Sequence, residues 1–185
     1  MTLDAGSQDE LDNMLEQMAE LVLDAGAMDV LVADTPAKIK DAWAARSSFL
    51  EAIMHETKLL DECDVVVPVN KIADYLDFVN KTGEDCGLVI KSFGHAGDGN
   101  LHIYQCSNDL EEEEFKSRVD KFFEIIYKEA TNCGGLVSGE HGIGSGKIKY
   151  LVDSVGETNM ALMEGIKRVF DPKMILNPGK VCYRL

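Results

Sequence analysis

The chain has 185 residues, 45% hydrophobic and 28% charged, which is enough for a single domain spanning residues 1–185 with a substantial core. Its 33 acidic residues outnumber its 18 basic ones, for a formal net charge of -15. That balance argues against a nucleic-acid partner gripped through phosphates and against docking on anionic membranes.

The first residues, 1–4, have the composition of a strand end. Ser7-Gln8-Asp9-Glu10 has the form of a capping box. Leu11, Met14, Leu15, Met18 and Val22 then recur at helical spacing up to a stop at Gly26, and the stripe is expected to fill core. Asp29-Val30-Leu31-Val32 predicts a short strand. Thr35-Pro36 predicts a helix start, and one helix is expected to carry Ile39, Ala42, Trp43, Arg46, Leu50, Ile53 and Met54. Arg46 falls on or beside the apolar face, a position suited to a snorkelling or ion-paired side chain or to a carboxylate contact.

Residues 64–68 predict a β-branched strand closed by Pro68, and residues 70–81 a helix with Ile72, Tyr75, Leu76 and Val79 inward, stopped by Gly83. Residues 86–90 predict a strand leading into Gly94-His95-Ala96-Gly97-Asp98-Gly99-Asn100. Residues 101–105 alternate, with His102 and Tyr104 on one face and Leu101 and Ile103 on the other. Asn108-Asp109 is expected to cap a long helix whose first turn holds Glu111 to Glu114 as a solvated acidic face. Its buried stripe is Phe115, Val119, Phe122, Phe123, Ile126 and Tyr127, and Cys133-Gly134-Gly135 ends it. After Gly139-Glu140-His141-Gly142-Ile143-Gly144 come helices near residues 147–152 and 158–170. A tail over residues 171–180 is too rich in turn-formers to be regular. The turn at 94–100 is too short for a parallel crossover, so the expected fold is α+β, helices on a mainly antiparallel sheet.

Five cysteines, Cys63, Cys86, Cys106, Cys133 and Cys182, form an odd set without a C-x-x-C pair, the usage of a reduced intracellular protein. No signal peptide is visible, and no apolar run approaches the ~20 residues of a membrane span. The expected location is the cytoplasm, with no transmembrane segment.

Three of the four histidines lie in the two glycine-rich segments. His95 and His102 flank a turn that can bring both imidazoles toward one point, and Glu140 can add a carboxylate from the second segment. Two histidines and a carboxylate, with positions left open, suit a catalytic Zn²⁺, Mn²⁺ or Fe²⁺. Familiar motifs fail nearby. In Gly142-Ile143-Gly144-Ser145-Gly146-Lys147, His141 stands where a phosphate loop needs its first glycine, and Ile148 where it needs Ser or Thr. After Asp98-Gly99-Asn100, Ile103 stands where a calcium loop needs glycine.

Taken together, Gly94 to His102, Gly139 to Gly144 and Asp171-Pro172…Leu176-Asn177-Pro178-Gly179-Lys180 resemble the C-terminal domain of FAD-linked oxidases. This is the family of D-lactate dehydrogenase, the glycolate oxidase FAD subunit and D-2-hydroxyglutarate dehydrogenase. Trp43…Arg46 and Asp64-Val65-Val66-Val67-Pro68 match in the same order. The resemblance implies a ferredoxin-like antiparallel sheet capping a flavin. It also implies a hydride transfer that oxidises a 2-hydroxy acid to the 2-oxo acid.

The resemblance further implies His95, His102 and Glu140 as metal ligands, His141 as the base, and Arg46 as a substrate-carboxylate contact. Asn177 is implied to approach the flavin. Tyr104 stands where hydroxyglutarate-type members carry a substrate-binding asparagine, favouring a lactate- or glycolate-like substrate. The family's FAD-binding domain is not in this sequence, so FAD is expected to be held mainly by that missing domain. Electrons would pass to an acceptor protein or quinone, and the chain alone is expected to turn over nothing. Two other readings stay open: a free-standing metal-dependent hydrolase using the same ligands, and a non-catalytic module binding a metal or hydroxy acid.

Overall fold

The computed structural model describes residues 1–182, which divide into two compact units, Met1–Leu50 and the described residues from Glu51 onward. In the first unit, α1 (Gln8–Asp24) begins where the serine predicts, because Ser7 Oγ accepts the Glu10 amide. Glu10 reaches back one residue further than a capping box requires, accepting from the Gly6 amide. None of α1 is buried, so its apolar stripe is half-covered surface and not core. Helical periodicity shows which face is apolar, whereas burial needs a second element laid over that face.

Residues 1–4 and 29–32 are not strands. A strand needs a hydrogen-bonded neighbour, and neither segment pairs with one. α2 (Pro36–Ser47) starts on the Thr35 cap as expected, but the helix is broken at Ser48 and resumes as α3 (Phe49–Glu56). Of this stretch only Ile53 is buried, while Trp43 is 61% exposed.

The second unit holds a three-stranded antiparallel sheet in the order β1-β3-β2, with β1 Leu59–Val66, β2 Val89–His95 and β3 Asn100–Ser107. Leu136 bridges antiparallel to Val66 on the other side of β1, through Val66 N to Leu136 O at 3.1 Å and Leu136 N to Val66 O at 2.9 Å. That bridge stands where a ferredoxin-like sheet carries its fourth strand. The fold is α+β with antiparallel pairing throughout, as the short turn between β2 and β3 requires.

α4 (Ile72–Cys86) follows a 3₁₀ turn at Val69–Lys71, and α5 (Glu112–Asn132) follows β3. The Tyr75 hydroxyl donates to Ile126 O at 2.9 Å and ties the two helices together inside the core. Gly83 does not stop α4. It is buried inside the helix, where a Cβ would come within 2.1 Å of Ile90, and Gly87 ends the helix in the left-handed conformation (φ 66°). α5 begins later than expected, with Glu111 at its N-cap position but no side-chain cap, because Asn108 instead binds Lys58 N and Glu56 O. Ser107 Oγ takes the Asp109 and Leu110 amides. Phe115, Val119, Phe122, Ile126 and Tyr127 of α5 are buried, as its stripe predicts.

α6 (Ile148–Phe170) bends at Gly156 (φ 76°, ψ 164°), so its two halves correspond to the two expected helices. The tail is irregular, organised by the Asp171 carboxylate, which accepts the Ile175 and Leu176 amides and the Lys167 ammonium.

The sheet has two chemically different faces. Residues opposite one another in an antiparallel pair share a face, and faces alternate along each strand. Cys63, Val65, Leu101 and Ile103 therefore point to one side, where they join Val79, Val119, Phe122 and Ile126 in the core. Glu62, Asp64, His102, Tyr104 and Phe93 point to the other.

Candidate functional site

The polar sheet face begins with the register. Asp64 of β1 is opposite His102 of β3, Glu62 opposite Tyr104, Phe93 of β2 opposite His102, and His95 opposite Asn100. His95 ends β2 and Asn100 starts β3, so the turn between them carries the two imidazoles predicted to approach each other. Gly99 makes this turn possible. Its φ is 81°, its carbonyl accepts the Val67 amide at 3.0 Å, and a Cβ there would sit 1.9 Å from Val67 O.

The second segment is held against this face by Asp64, whose side chain is fully buried. Its carboxylate accepts from Ser138 Oγ at 2.7 Å, from the Gly139 and Glu140 amides at 3.0 and 3.1 Å, and from the His141 amide at 2.8 Å. Successive amides converging on one anion form an anion-binding nest, here filled by the protein's own carboxylate. Burial by itself would raise the Asp64 pKa. The His141 amide, the Ser138 hydroxyl and the Glu140 and Gly139 amides outweigh it and hold the carboxyl below its ordinary value. Lys147 donates to the Asp64 backbone carbonyl at 3.1 Å, its ammonium 3.8 Å from the carboxylate, and burial lowers its pKa. Gly139 packs so closely on Asn100 that a Cβ would meet Asn100 Oδ1 at 2.3 Å.

These ties carry Glu140 and His141 to the histidines of the first segment. Glu140 Oε1 lies 3.0 Å from His102 Nε2 and 3.8 Å from His95 Nε2. One ligand atom from each of the three residues fits within 4.8 Å, so His95, His102 and Glu140 could hold a metal ion together. The His141 ring is 4.8 Å from that of His102, centroid to centroid, and its Nδ1 is 3.5 Å from Glu62 Oε1. His102 is buried among Phe93 (centroids 5.7 Å apart), His141 and the sheet, whereas His95, Glu140 and His141 are exposed. Phe93 also stacks on Tyr104 at 5.1 Å, and the Tyr104 hydroxyl donates to Glu62 Oε1 at 3.0 Å.

Of the residues singled out in the sequence, His95, His102, Glu140, His141 and Tyr104 thus come together. Arg46 lies on α2 in the first unit, half-buried. Asn177 lies in the tail, exposed and in the left-handed conformation (φ 47°). The sequence reading passed over Glu62, Asp64, Phe93 and Lys147. The signal for the first two was the alternation Glu62-Cys63-Asp64-Val65, which sets two acids on the face opposite the core.

Known proteins resemble this chain along its whole length. The profile described as "FAD linked oxidases, C-terminal domain" matches residues 1–181. The chain is 59% identical to a D-lactate dehydrogenase of Anaerostipes hadrus over all of its own length and 39% of that protein's. It is 33% identical to glycolate oxidase subunit GlcD of Bacillus subtilis strain 168, over 95% of this chain and 37% of that one. To a D-2-hydroxyglutarate dehydrogenase of Stutzerimonas stutzeri it is 28% identical, over 98% of this chain and 39% of that one. The chain therefore spans under two fifths of the length of the relatives it matches. Among the described residues, no helix is long and apolar enough to cross a membrane.

Proposed function

The chain belongs to the family of FAD linked oxidases, C-terminal domain, and from that premise we propose that it supplies the substrate and metal side of a flavin-dependent 2-hydroxy-acid dehydrogenase of D-lactate or glycolate type. The observation that carries this reading is the convergence of His95, His102 and Glu140, with His141 against His102.

The donor set fits a divalent ion. Two imidazole nitrogens and a carboxylate oxygen suit Zn²⁺, Mn²⁺ or Fe²⁺, and three protein ligands leave room for substrate. The central ligand, His102, is buried with its Nδ1 toward a second carboxylate, Glu62, the arrangement that orients metal-bound histidines. When bound, such an ion would lower the pKa of an alcohol oxygen it meets. The flavin, held mainly by a domain outside this sequence, would supply the hydride acceptor.

This chain's residues do the rest. His141 takes the proton from the substrate hydroxyl while hydride leaves the same carbon. Tyr104 and Phe93 stack on one another on the same sheet face as His102, and the bulk of Tyr104 there suits a substrate with a small side chain. Arg46 pairs with the substrate carboxylate through its guanidinium fork, an assignment resting on the Trp43…Arg46 pattern. Asn177, exposed in the tail, is the residue assigned to approach the flavin. Beyond the flavin, the electron acceptor would be a protein or a quinone.

Titrating Zn²⁺ or Mn²⁺ into the metal-free chain by calorimetry tests the centre. One equivalent should bind at neutral pH, weakened at least ~100-fold in each of H95A, H102A and E140Q. D-Lactate should bind the loaded chain more tightly than the metal-free one. Equal metal binding by wild type and the three variants would remove the centre from the proposal.

A further inference from the structure

Glu62 is neither a ligand nor the base in the reading above, yet a hydroxyl and two imidazole nitrogens gather at one of its oxygens. Around Oε1 lie the Tyr104 hydroxyl at 3.0 Å, His102 Nδ1 at 3.3 Å and His141 Nδ1 at 3.5 Å. A carboxylate has about four lone-pair sites and no proton of its own, so it can accept from all three. His102 Nδ1 is buried and lacks an aligned hydrogen bond, and an unsatisfied buried nitrogen is costly. Glu62 Oε1, at 3.3 Å, is the acceptor within reach of it.

We propose that Glu62 is a positioning residue that fixes the tautomers of both histidines. A neutral imidazole carries one N–H, and its place is set by the hydrogen bond that nitrogen makes. With Glu62 as acceptor, His102 and His141 each keep the proton on Nδ1. His102 then keeps its Nε2, 3.0 Å from Glu140, for a cation in place of a shared proton, and His141 presents a bare Nε2 able to accept a proton. Free imidazole side chains favour the opposite tautomer, with the proton on Nε2, which would block both roles. The Tyr104 hydroxyl holds the Glu62 carboxylate in place from the strand opposite. Strand pairing thus sets the ligand and the base together. The functional consequence rests on the metal-and-base reading, while the tautomers themselves do not.

The same three residues, Glu62, His102 and His141, also place ligand atoms within 4.8 Å of one another, so a second cation is the rival use of this geometry. Long-range ¹⁵N–¹H correlation spectra of the metal-free, ¹⁵N-histidine-labelled chain at about pH 8.5, above the ordinary imidazole range, decide between them. Nδ1–H is expected at both His141 and His102, whose Nε2 can hold a further proton against Glu140 at 3.0 Å, and a bare Nδ1 at either overturns the proposal. In E62L, His141 should revert to Nε2–H and Zn²⁺ affinity should fall ~10–100-fold, with partial recovery in E62Q, whose amide oxygen still accepts. An unchanged tautomer and affinity in E62L, or a second Zn²⁺ equivalent lost in E62L, overturns it. The wild-type spectrum stands even if E62L fails to fold. A chain that binds no Zn²⁺ but shows both Nδ1–H tautomers sinks the metal centre and keeps this arrangement. Tight Zn²⁺ binding with Nε2–H at His141 does the reverse.

Discussion

Asp64 and His141 lie 77 residues apart in the chain, and the buried Asp64 carboxylate accepts the His141 amide at 2.8 Å. One side chain beneath the sheet surface thereby sets the position of the proposed base and, through the Glu140 amide at 3.1 Å, of a candidate metal ligand.

Replacing that carboxylate should damage stability and site together. D64N keeps the shape but turns a donor toward amides that are themselves donors. With the side chain fully buried, the cost is ~3 kcal/mol, readable by urea denaturation. A loss below ~0.5 kcal/mol, the level of an ordinary surface change, would show that the nest does not hold the loop.

The same carboxylate gives the fold an acid-sensitive component. Its folded pKa is depressed, so its stabilisation is present above the unfolded value of ~3.9 and is lost as pH falls through the folded value. The stability gap between wild type and D64N should be flat from ~pH 7 to ~pH 5 and close at lower pH. A gap that widened on acidification would contradict the sign argued here.

Two glycines in one turn should respond in opposite ways to alanine. Gly99 has positive φ and backbone 1.9 Å from any Cβ, so G99A should cost ~2 kcal/mol or more, measured as a fall in thermal midpoint. Gly97 has open space around it, and G97A should stay within ~0.5 kcal/mol of wild type. Equal effects would mean that the turn relaxes around the new methyl group.

If His141 is the base, H141A in the complete flavoprotein should reduce turnover of D-lactate at least ~100-fold. His55, exposed on α3, provides the control, and H55A should leave turnover unchanged. Near-normal turnover in H141A would reassign the proton transfer to another group.

Local chemistry was readable before any coordinates. Ser7 and Thr35-Pro36 start helices where capping requires, and β3 alternates His102 and Tyr104 against Leu101 and Ile103 because strand side chains switch sides at every residue. The glycine-rich histidine segments announced a close-packed turn and loop, since a residue without a Cβ lets the Val67 backbone approach Gly99 and the Asn100 side chain approach Gly139. By itself, then, the sequence determined the antiparallel α+β class and the set of residues worth watching.

Only the tertiary structure decided what each face meets. The methionine stripe of α1 looked like core and is half-exposed, and Asp29 to Val32 looked like a strand and has no partner, because periodicity is a property of one segment whereas burial and pairing belong to two. Glu62 and Asp64 looked like ordinary strand acids. One became the anchor of a loop 75 residues away and the other the common neighbour of two imidazoles and a phenol. A carboxylate has no fixed role of its own: the donors that surround it assign one, and those donors are brought to it by the register of the sheet and by a loop far along the chain.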